Sequence, residues 1–545
     1  MGNLLNRFSL MSLTIAALLP ACAPSQLESK HTVQSASTLK LEPAISHQEA
    51  ISKDPALSEL LSDDRNELSV SKIIEPSMGL EEAVQYGHKF DGIPVIGSRV
   101  IVERQASVDK GLNVAPLKSE ENWNVTNRVS KFDLDSSPKL SVEDALESVQ
   151  SKFEGRPLLS EPTLKILPSK EGSARLVYII KLGGVENEDG KVGGASYWVD
   201  AHTGDLIAEI PHELHADVTN IVKVTNSDKY CHYVPLLGYT KEGDAVYDNP
   251  MVTDISRCSY AMAQAAGSKS IKVWKGRADA DVKRAFDNAK KVLGYYASQF
   301  NRKSYDNKNS PLTSLVHVGK SWGNAFWNSE QNYMAYGDGD VTRGQKSMTL
   351  SADVAGHEMT HAVIGSTANL IYMQESGALN EAIADFFGIM ISHLKSQSQN
   401  SLDPQDYRLG TDLYASKSKG IRDLARPSSL TYVNPETGKA AGYPAHVKSK
   451  YVSQKNTCGP ENDMCGVHLN ATIPGHALYL AAKRLGEQKV QKILYVALAR
   501  YLTETSDFSD FRSGMKKSCL ALGKSKVTSG SDCTKLDKEF SAVGI

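Results

Sequence analysis

Long apolar runs are scarce in this 545-residue chain. None approaches the ~20 residues that a membrane-spanning helix requires, which excludes a polytopic membrane protein. Net charge is equally scarce. The 61 Lys+Arg stand against 63 Asp+Glu, for a formal −2, so the chain as a whole carries no electrostatic footprint for nucleic acid. Cysteine is rare too: there are seven, none between Cys22 and Cys231, and no pair has the CxxC spacing of a zinc ribbon. At 41% hydrophobic and 23% charged the composition is globular, not disordered or collagenous. The length exceeds the ~250–300 residues of a single core, so several domains are expected.

What is present begins with an export signature over residues 1–22. Met1 to Arg7 carries one positive residue, Leu10 to Leu19 is apolar, and Pro20-Ala21-Cys22-Ala23 follows with small residues. Leu19-Pro20-Ala21-Cys22 also has the form of a bacterial lipoprotein box, which would anchor a precursor through Cys22. An ordinary signal ending at Ala21 or Ala23 is the alternative. In an exported chain the six remaining cysteines read as disulfide candidates. Short loops close at least entropic cost, which favours Cys231–Cys258, Cys458–Cys465 and Cys519–Cys533, with free buried thiols as the competing reading.

Residues 23–65 are rich in Ser, Gln, Glu and Lys and read as a flexible tether. A β-rich segment over 66–135 contains a hairpin near 85–104. Over 136–215 a Ser141-capped helical pattern precedes three strand-like runs, the last holding the turn His202-Thr203-Gly204-Asp205. Strands prevail from 216 to 366, with helical patterns at 278–300 and 351–366. Amphipathic helices dominate 367–545. Residues 1–216 hold 21 Lys+Arg against 31 Asp+Glu, so the front is acidic and the back basic. Opposite fields would draw the two together, unless both are merely solvated faces.

The chemistry concentrates at Asp353-Val-Ala-Gly-His357-Glu358-Met-Thr-His361. Histidines at i and i+4 put both imidazoles on one helix face within reach of one ion, and Glu358 beside them can take a proton from a metal-held water. A charged helix face is the bland reading. Glu381, 20 residues past His361 in Gly377-Ala-Leu-Asn380-Glu381-Ala-Ile-Ala-Asp385, weighs against it. Two histidines and one glutamate form a catalytic zinc set that leaves a position for water. Asp385 and Asn380 can each accept the far N–H of a ligating histidine. A third cluster, Asp463-Met-Cys-Gly-Val-His468-Leu-Asn470, sets a carboxylate near a histidine, as an oxyanion site requires; a structural histidine has the same signature.

Together with Asn324-Ala325-Phe326-Trp327-Asn328, Tyr336-Gly337-Asp338-Gly339-Asp340 and LIYMQESGALNEAIAD at 370–385, these motifs make residues from about 215 to 545 resemble a thermolysin-like zinc metallopeptidase, nearest to the elastase-like (pseudolysin-type) bacterial neutral proteases. The resemblance implies an α+β fold with a two-lobed catalytic domain: a β-rich lobe over 216–366, ending in the zinc helix, and a helical lobe over 367–545. It implies one Zn2+ on His357, His361 and Glu381, with Glu358 as general base and proton shuttle. Tyr372 and His468 would bind the oxyanion, Asp463 orienting His468. Asn324 and the Ala325 carbonyl would hold the substrate backbone, and Arg422 the carbonyl after the cut bond. Val354 and Ile421 would line an apolar pocket that favours cleavage before bulky apolar residues.

The front half is similar to the family's prosegment: YGHKFDGIPVIGSRVIVE within 66–135 to the thermolysin-type module, and YWVDAHTGDLIAEI within 136–215 to a PepSY module. This implies an inactive precursor whose prosegment assists folding, inhibits, and is cut away near 210–220. A secreted, monomeric endopeptidase acting on proteins and peptides would remain. Departures concern calcium. Asp353 and Asp406 match family ligand positions, but Ile389 and Ser392 replace glutamates, and Ca2+ needs six to eight oxygens. A retained calcium site is not expected, the disulfides taking over its bracing. A catalytically silent zinc-binding or adhesion protein, and an anchored maturation protease with one substrate, are the rival readings.

Overall fold

The computed structural model describes residues 45–104, 123–152, 156–169, 172–187, 190–192, 194–215, 232–239, 245–246, 280–310, 312–316, 318, 322–394, 403–416, 419–455 and 457–545. The leader with Cys22, the pair Cys231 and Cys258, and the processing zone beyond His215 lie outside the described residues.

Two short helices, α1 (Ile45–Ser52) and α2 (Pro55–Leu60), open the described chain. Asp54 caps α2 by accepting from Ala56 N and Leu57 N, with proline at the first helical position. Ile51 and Leu57 are buried with Tyr86, Val100 and Val102. The tether reading of 23–65 is therefore corrected over 45–65. Its polar composition hid a few apolar residues, and these suffice because the adjoining sheet supplies the rest of that core.

That sheet has eight strands in the order β1-β2-β3-β5-β6-β9-β10, with β4 on β3. They are β1 (Asn66–Ile74), β2 (Ala83–Phe90), β3 (Ile93–Arg104), β4 (Trp123–Arg128), β5 (Thr163–Pro168), β6 (Ala174–Leu182), β9 (Ala195–Asp200) and β10 (Leu206–Pro211); β7 (Val185–Asn187) and β8 (Gly190–Val192) form a separate hairpin. Strand β3 meets β5 at Val95↔Ile166, so the segments 66–135 and 136–215 share one sheet. Helix α3 (Val142–Ser148), held by a Ser141–Asp144 capping box, buries Ala145 against it.

A second sheet runs β11-β15-β16-β14-β12-β13. Its strands are β11 (Glu213–His215), β12 (His232–Tyr239), β13 (Ala245–Val246), β14 (Leu312–Val316), β15 (Ala325–Asn328) and β16 (Tyr333–Tyr336). Helix α4 (Ala280–Phe300) buries Ala285, Ala289, Val292, Leu293 and Tyr296 in the main core. The helical lobe comprises α5 (Ala352–Gly365), α6 (Gln374–His393), α7 (Asp463–Leu485), α8 (Glu487–Val496), α9 (Phe508–Lys524) and α10 (Gly530–Ala542). Helix α6 is buried from Ser376 to Ile391, as a helix apolar on nearly every face must be. It passes α5 so closely that a Cβ on Gly388 would stand 2.4 Å from Asp353 O, which only glycine permits. The disulfides Cys458–Cys465 and Cys519–Cys533 are formed, the latter joining α9 to α10.

The N-terminal sheet docks on the helical lobe through exchanged arginines. Arg99 donates to Leu502 O, where the run from α8 ends and carbonyls lack helical partners. In return, Arg500 Nη1 lies 3.0 Å from Glu103 Oε2. Arg128 pairs with Asp510 at 2.6 Å and Lys181 with Glu330 at 2.5 Å. These last two place the cation on the acidic half, against the direction of the overall imbalance. Whole-half fields fade within a Debye length of about 10 Å, so local pairs and carbonyl contacts set the docking.

Candidate metal centre

Helix α5 carries His357 and His361 one turn apart, both buried, and α6 brings Glu381 to them. The two Nε2 atoms are 3.0 Å apart. Glu381 Oε2 is 3.4 Å from His357 Nε2 and Oε1 is 3.3 Å from His361 Nε2. On the far side of each ring, His357 Nδ1 faces Asp385 Oδ1 at 2.8 Å and His361 Nδ1 faces Asn380 Oδ1 at 2.8 Å. Asn380 Nδ2 donates to Leu370 O at 3.0 Å, which fixes the way the amide points. An acceptor oxygen facing each Nδ1 favours the ring proton there, which leaves both Nε2 lone pairs aimed at one another beside a carboxylate. Such a convergence of acceptors in a buried site is repulsive unless a cation lies among them. The donor set fits zinc. Among the described residues it is the one such group of three.

The surrounding charges are uneven. Glu358 Oε2 accepts from Trp327 N at 3.1 Å, while Oε1 is buried without a hydrogen-bond partner. Burial, then the nearby Glu381 carboxylate, pushes Glu358 well above the usual carboxylate range. Glu381 goes the other way. Burial opposes its ionisation, but His468, His357 and Arg422 hold it well below its ordinary value. Tyr372 OH donates to Glu381 Oε1 at 2.5 Å and lies 3.0 Å from His468 Nε2. His468 Nδ1 is 2.5 Å from Asp463 Oδ1. Burial lowers His468, yet Glu381 and Asp463 outweigh it and raise the imidazole to about 9.

Arg422 is fully buried behind Glu381 and Asp385. Its Nε is 2.6 Å from Asp385 Oδ2, and its Nη2 is 2.7 Å from Asp385 Oδ1 and 3.0 Å from Glu381 Oε2. Asn324 and Ala325 stand at the start of β15, where Asn324 O accepts from Gly337 N at 3.0 Å. Val354 and Ile421 both belong to the main core; next to them Gly410 donates to Asp353 Oδ2 at 2.9 Å and faces the Ile421 side chain. Sequence reasoning missed the Trp327 amide, the Leu370 carbonyl and the Arg422–Asp385 pairing. Backbone groups have no sequence signature, and nothing in the spacing ties Arg422 to Asp385.

At Asp353, one of the positions considered for calcium, protein donors meet the carboxylate. Asp353 accepts from Ser351 Oγ, from Val354 N at 2.7 Å and from Gly410 N. Ile389 is buried in the core, and Ser392 Oγ donates to Ile389 O at 2.7 Å. Next to it His393 bridges Glu487 Oε1 (3.0 Å) and Asp406 O (3.1 Å). Burial lowers His393, but these acceptors outweigh it and raise its pKa above the ordinary value of about 6.5. A raised folded-state value means stabilisation that is complete below the unfolded pKa and lost as pH rises through the folded one. His393→Gln is expected to cost up to about 1 kcal/mol at pH 6 and less at pH 9. Thermal melts of both proteins at the two pH values check this.

Residues 224–365 match the family model for the thermolysin metallopeptidase catalytic domain, and residues 368–545 the model for its alpha-helical domain. Bacillolysin of Bacillus subtilis (strain 168) is 31% identical over 478 residues, spanning 85% of this chain and 82% of that protein. Neutral protease B of the same strain is 26% identical over 563 residues, spanning 96% and 95%. Among solved structures, the precursor of protealysin, a metalloproteinase from Serratia proteamaculans, aligns over 60% of this chain and 91% of that one, with 27% identity and a TM-score of 0.43.

Proposed function

Because this chain belongs to the thermolysin metallopeptidase family and is a zinc metalloendopeptidase, we propose that it is an exported neutral protease, made as a self-inhibited precursor, that cuts before bulky apolar residues. The observation that carries the catalytic reading is the convergence of His357 Nε2, His361 Nε2 and the Glu381 carboxylate, which would hold the ion. Bound there, zinc would supply the Lewis acidity that polarises a scissile carbonyl and acidifies water, and its charge would offset the burial that raises the Glu358 carboxyl.

Glu358 receives the water proton on Oε1, the oxygen without a partner, and later delivers it to the leaving amine. The Trp327 amide holds the other oxygen. Tyr372 OH and His468 Nε2 donate to the developing oxyanion, and Asp463 keeps the His468 ring turned toward it. Asp385 and Asn380 fix the tautomers of the two ligand histidines, and Arg422 steadies Asp385 and Glu381. The substrate strand lies along β15 beside Asn324 and Ala325, with its next side chain in the apolar pocket of Val354 and Ile421.

Self-inhibition is supported by β11. Glu213, Leu214 and His215 pair antiparallel with Asn328, Trp327 and Phe326, so the chain's own segment occupies an edge that an extended substrate would use. A cavity of about 560 Å³ separates Trp198, Ile210 and His212 of the N-terminal half from Trp327, His361 and Tyr372. Export is supported by the leader-like composition of residues 1–22 and by the two disulfides.

A peptide library exposed to the processed enzyme tests this reading. The expected digest favours Leu, Ile or Phe after the cut by about tenfold or more over Gly or Asp, and a chelator abolishes it. A flat profile would remove the pocket assignment. Activity that persists without metal would remove the mechanism.

A further inference from the structure

The backbone reverses hand just before His468. Asp463, Met464, Cys465 and Gly466 have φ of 56°, 50°, 63° and 92°, a left-handed turn in which three residues carry side chains. Each such residue costs about 1–2 kcal/mol relative to right-handed backbone, so the turn survives only where its surroundings impose it. At the fourth position a Cβ would stand 2.6 Å from Tyr451, which only glycine avoids.

Three ties impose the turn. Asn462 Oδ1 accepts from Gly459 N (3.0 Å) and Cys465 N (3.1 Å), while its Nδ2 donates to Thr457 O (2.9 Å). Asp463 Oδ2 accepts from His468 N (3.0 Å) and Leu469 N (3.1 Å). The Cys458–Cys465 bond closes a covalent ring around the segment, ending on its third left-handed residue. Asp463, the first residue of that turn, carries the carboxylate that holds His468 Nδ1.

We propose that the Cys458–Cys465 disulfide is a positioning element for catalysis: it imposes the left-handed turn, the turn aims Asp463, and Asp463 aims His468. This rests on the oxyanion role of His468 given above. The bond lies on the turn and not among the metal-centre side chains, and its cysteines pack in an apolar cluster with Trp198 and Ala208 of the N-terminal half. Both cysteines border a crevice of about 810 Å³ between the N-terminal sheet and the helical lobe, so a small reductant reaches them. A water-soluble phosphine would open the bond with the loss of one water: phosphorus takes the oxygen and becomes a phosphine oxide, while the two electrons and two protons give two thiols.

The test compares four variants of the processed, zinc-loaded enzyme. Cys458→Ala/Cys465→Ala should lower kcat about tenfold or more, with KM and zinc content near wild type. Cys458→Ala/Cys465→Gly should recover most of that loss, because glycine adopts the left-handed conformation without steric cost. A purely structural role would not separate alanine from glycine in kcat. Cys519→Ala/Cys533→Ala should lower thermal stability and leave kcat and KM unchanged. His468→Phe calibrates the series: if it leaves kcat intact, the oxyanion assignment falls and takes this inference with it. If His468→Phe lowers kcat while the alanine pair does not, or if glycine is no better than alanine, the inference alone is overturned.

Should the alanine pair fail to accumulate, phosphine treatment of an enzyme in which Cys231, Cys258, Cys519 and Cys533 are all replaced by Ala, so that Cys458–Cys465 is the one reducible bond, replaces it. Alkylation is then mapped to Cys458 and Cys465, and zinc is measured. A fall in kcat that reverses on reoxidation supports the positioning role; full kcat with both thiols alkylated overturns it.

Discussion

Glu358→Gln is expected to leave zinc stoichiometric and to lower peptide hydrolysis by about 10²–10⁴-fold, the range for removing a general acid–base group. The substitution preserves shape and one hydrogen-bond acceptor, so the amide oxygen can still accept from Trp327 N, 3.1 Å from the present carboxylate. What disappears is proton affinity at Oε1, the buried oxygen with no other partner. Among the described residues no other carboxylate is positioned to take its place. Asp385 is held by Arg422 and faces His357, and Glu381 is one of the three residues that would hold the ion. If the precursor processes itself, the variant will also accumulate uncut, with β11 still paired to β15. Metal analysis, steady-state kinetics and N-terminal sequencing of one preparation check all three statements. Near-normal turnover would remove Glu358 from the mechanism.

His468→Phe should lower kcat about 10²–10³-fold with KM changed only slightly, as expected for a donor that acts on charge present only in the transition state. Phenylalanine retains the ring volume in a fully buried site, so packing is nearly conserved. It removes the Nε2 donor 3.0 Å from Tyr372 OH and leaves Asp463 Oδ1 without its ring partner. That orphaned buried carboxylate costs stability, on the order of 1–3 kcal/mol. A matched loss of Tm and kcat is thus part of the expectation, and activity must be read well below the melt. A rise in KM at constant kcat would instead assign His468 to ground-state binding.

How much of this was legible beforehand depends on the span of each signal. His357, Glu358 and His361 lie within one helical turn and a half, where 3.6-residue geometry settles which side chains share a face. Glu381, Asn380 and Asp385 are legible for the same reason, since each lies within a turn of the next on α6. Helices α1 and α2 were lost to the polar composition of 23–65. Net charge did not show how the two halves meet: Arg500 pairs with a carboxylate of the acidic half as opposite fields would have it, whereas Arg99 and Arg128 reach a carbonyl and a carboxylate of the basic half at contact distance.

The order of residues alone determined the ligand types, their spacing along two helices and the alternating strands, because each of these is a property of local backbone period. Only the tertiary structure decided that the two Nε2 atoms meet at 3.0 Å, that Arg422 lies behind Glu381 and Asp385, and that β11 takes the edge of β15. These depend on how closely two helices approach and which edge is left open. Such distances are set by packing between residues far apart in the chain, and no local period encodes them.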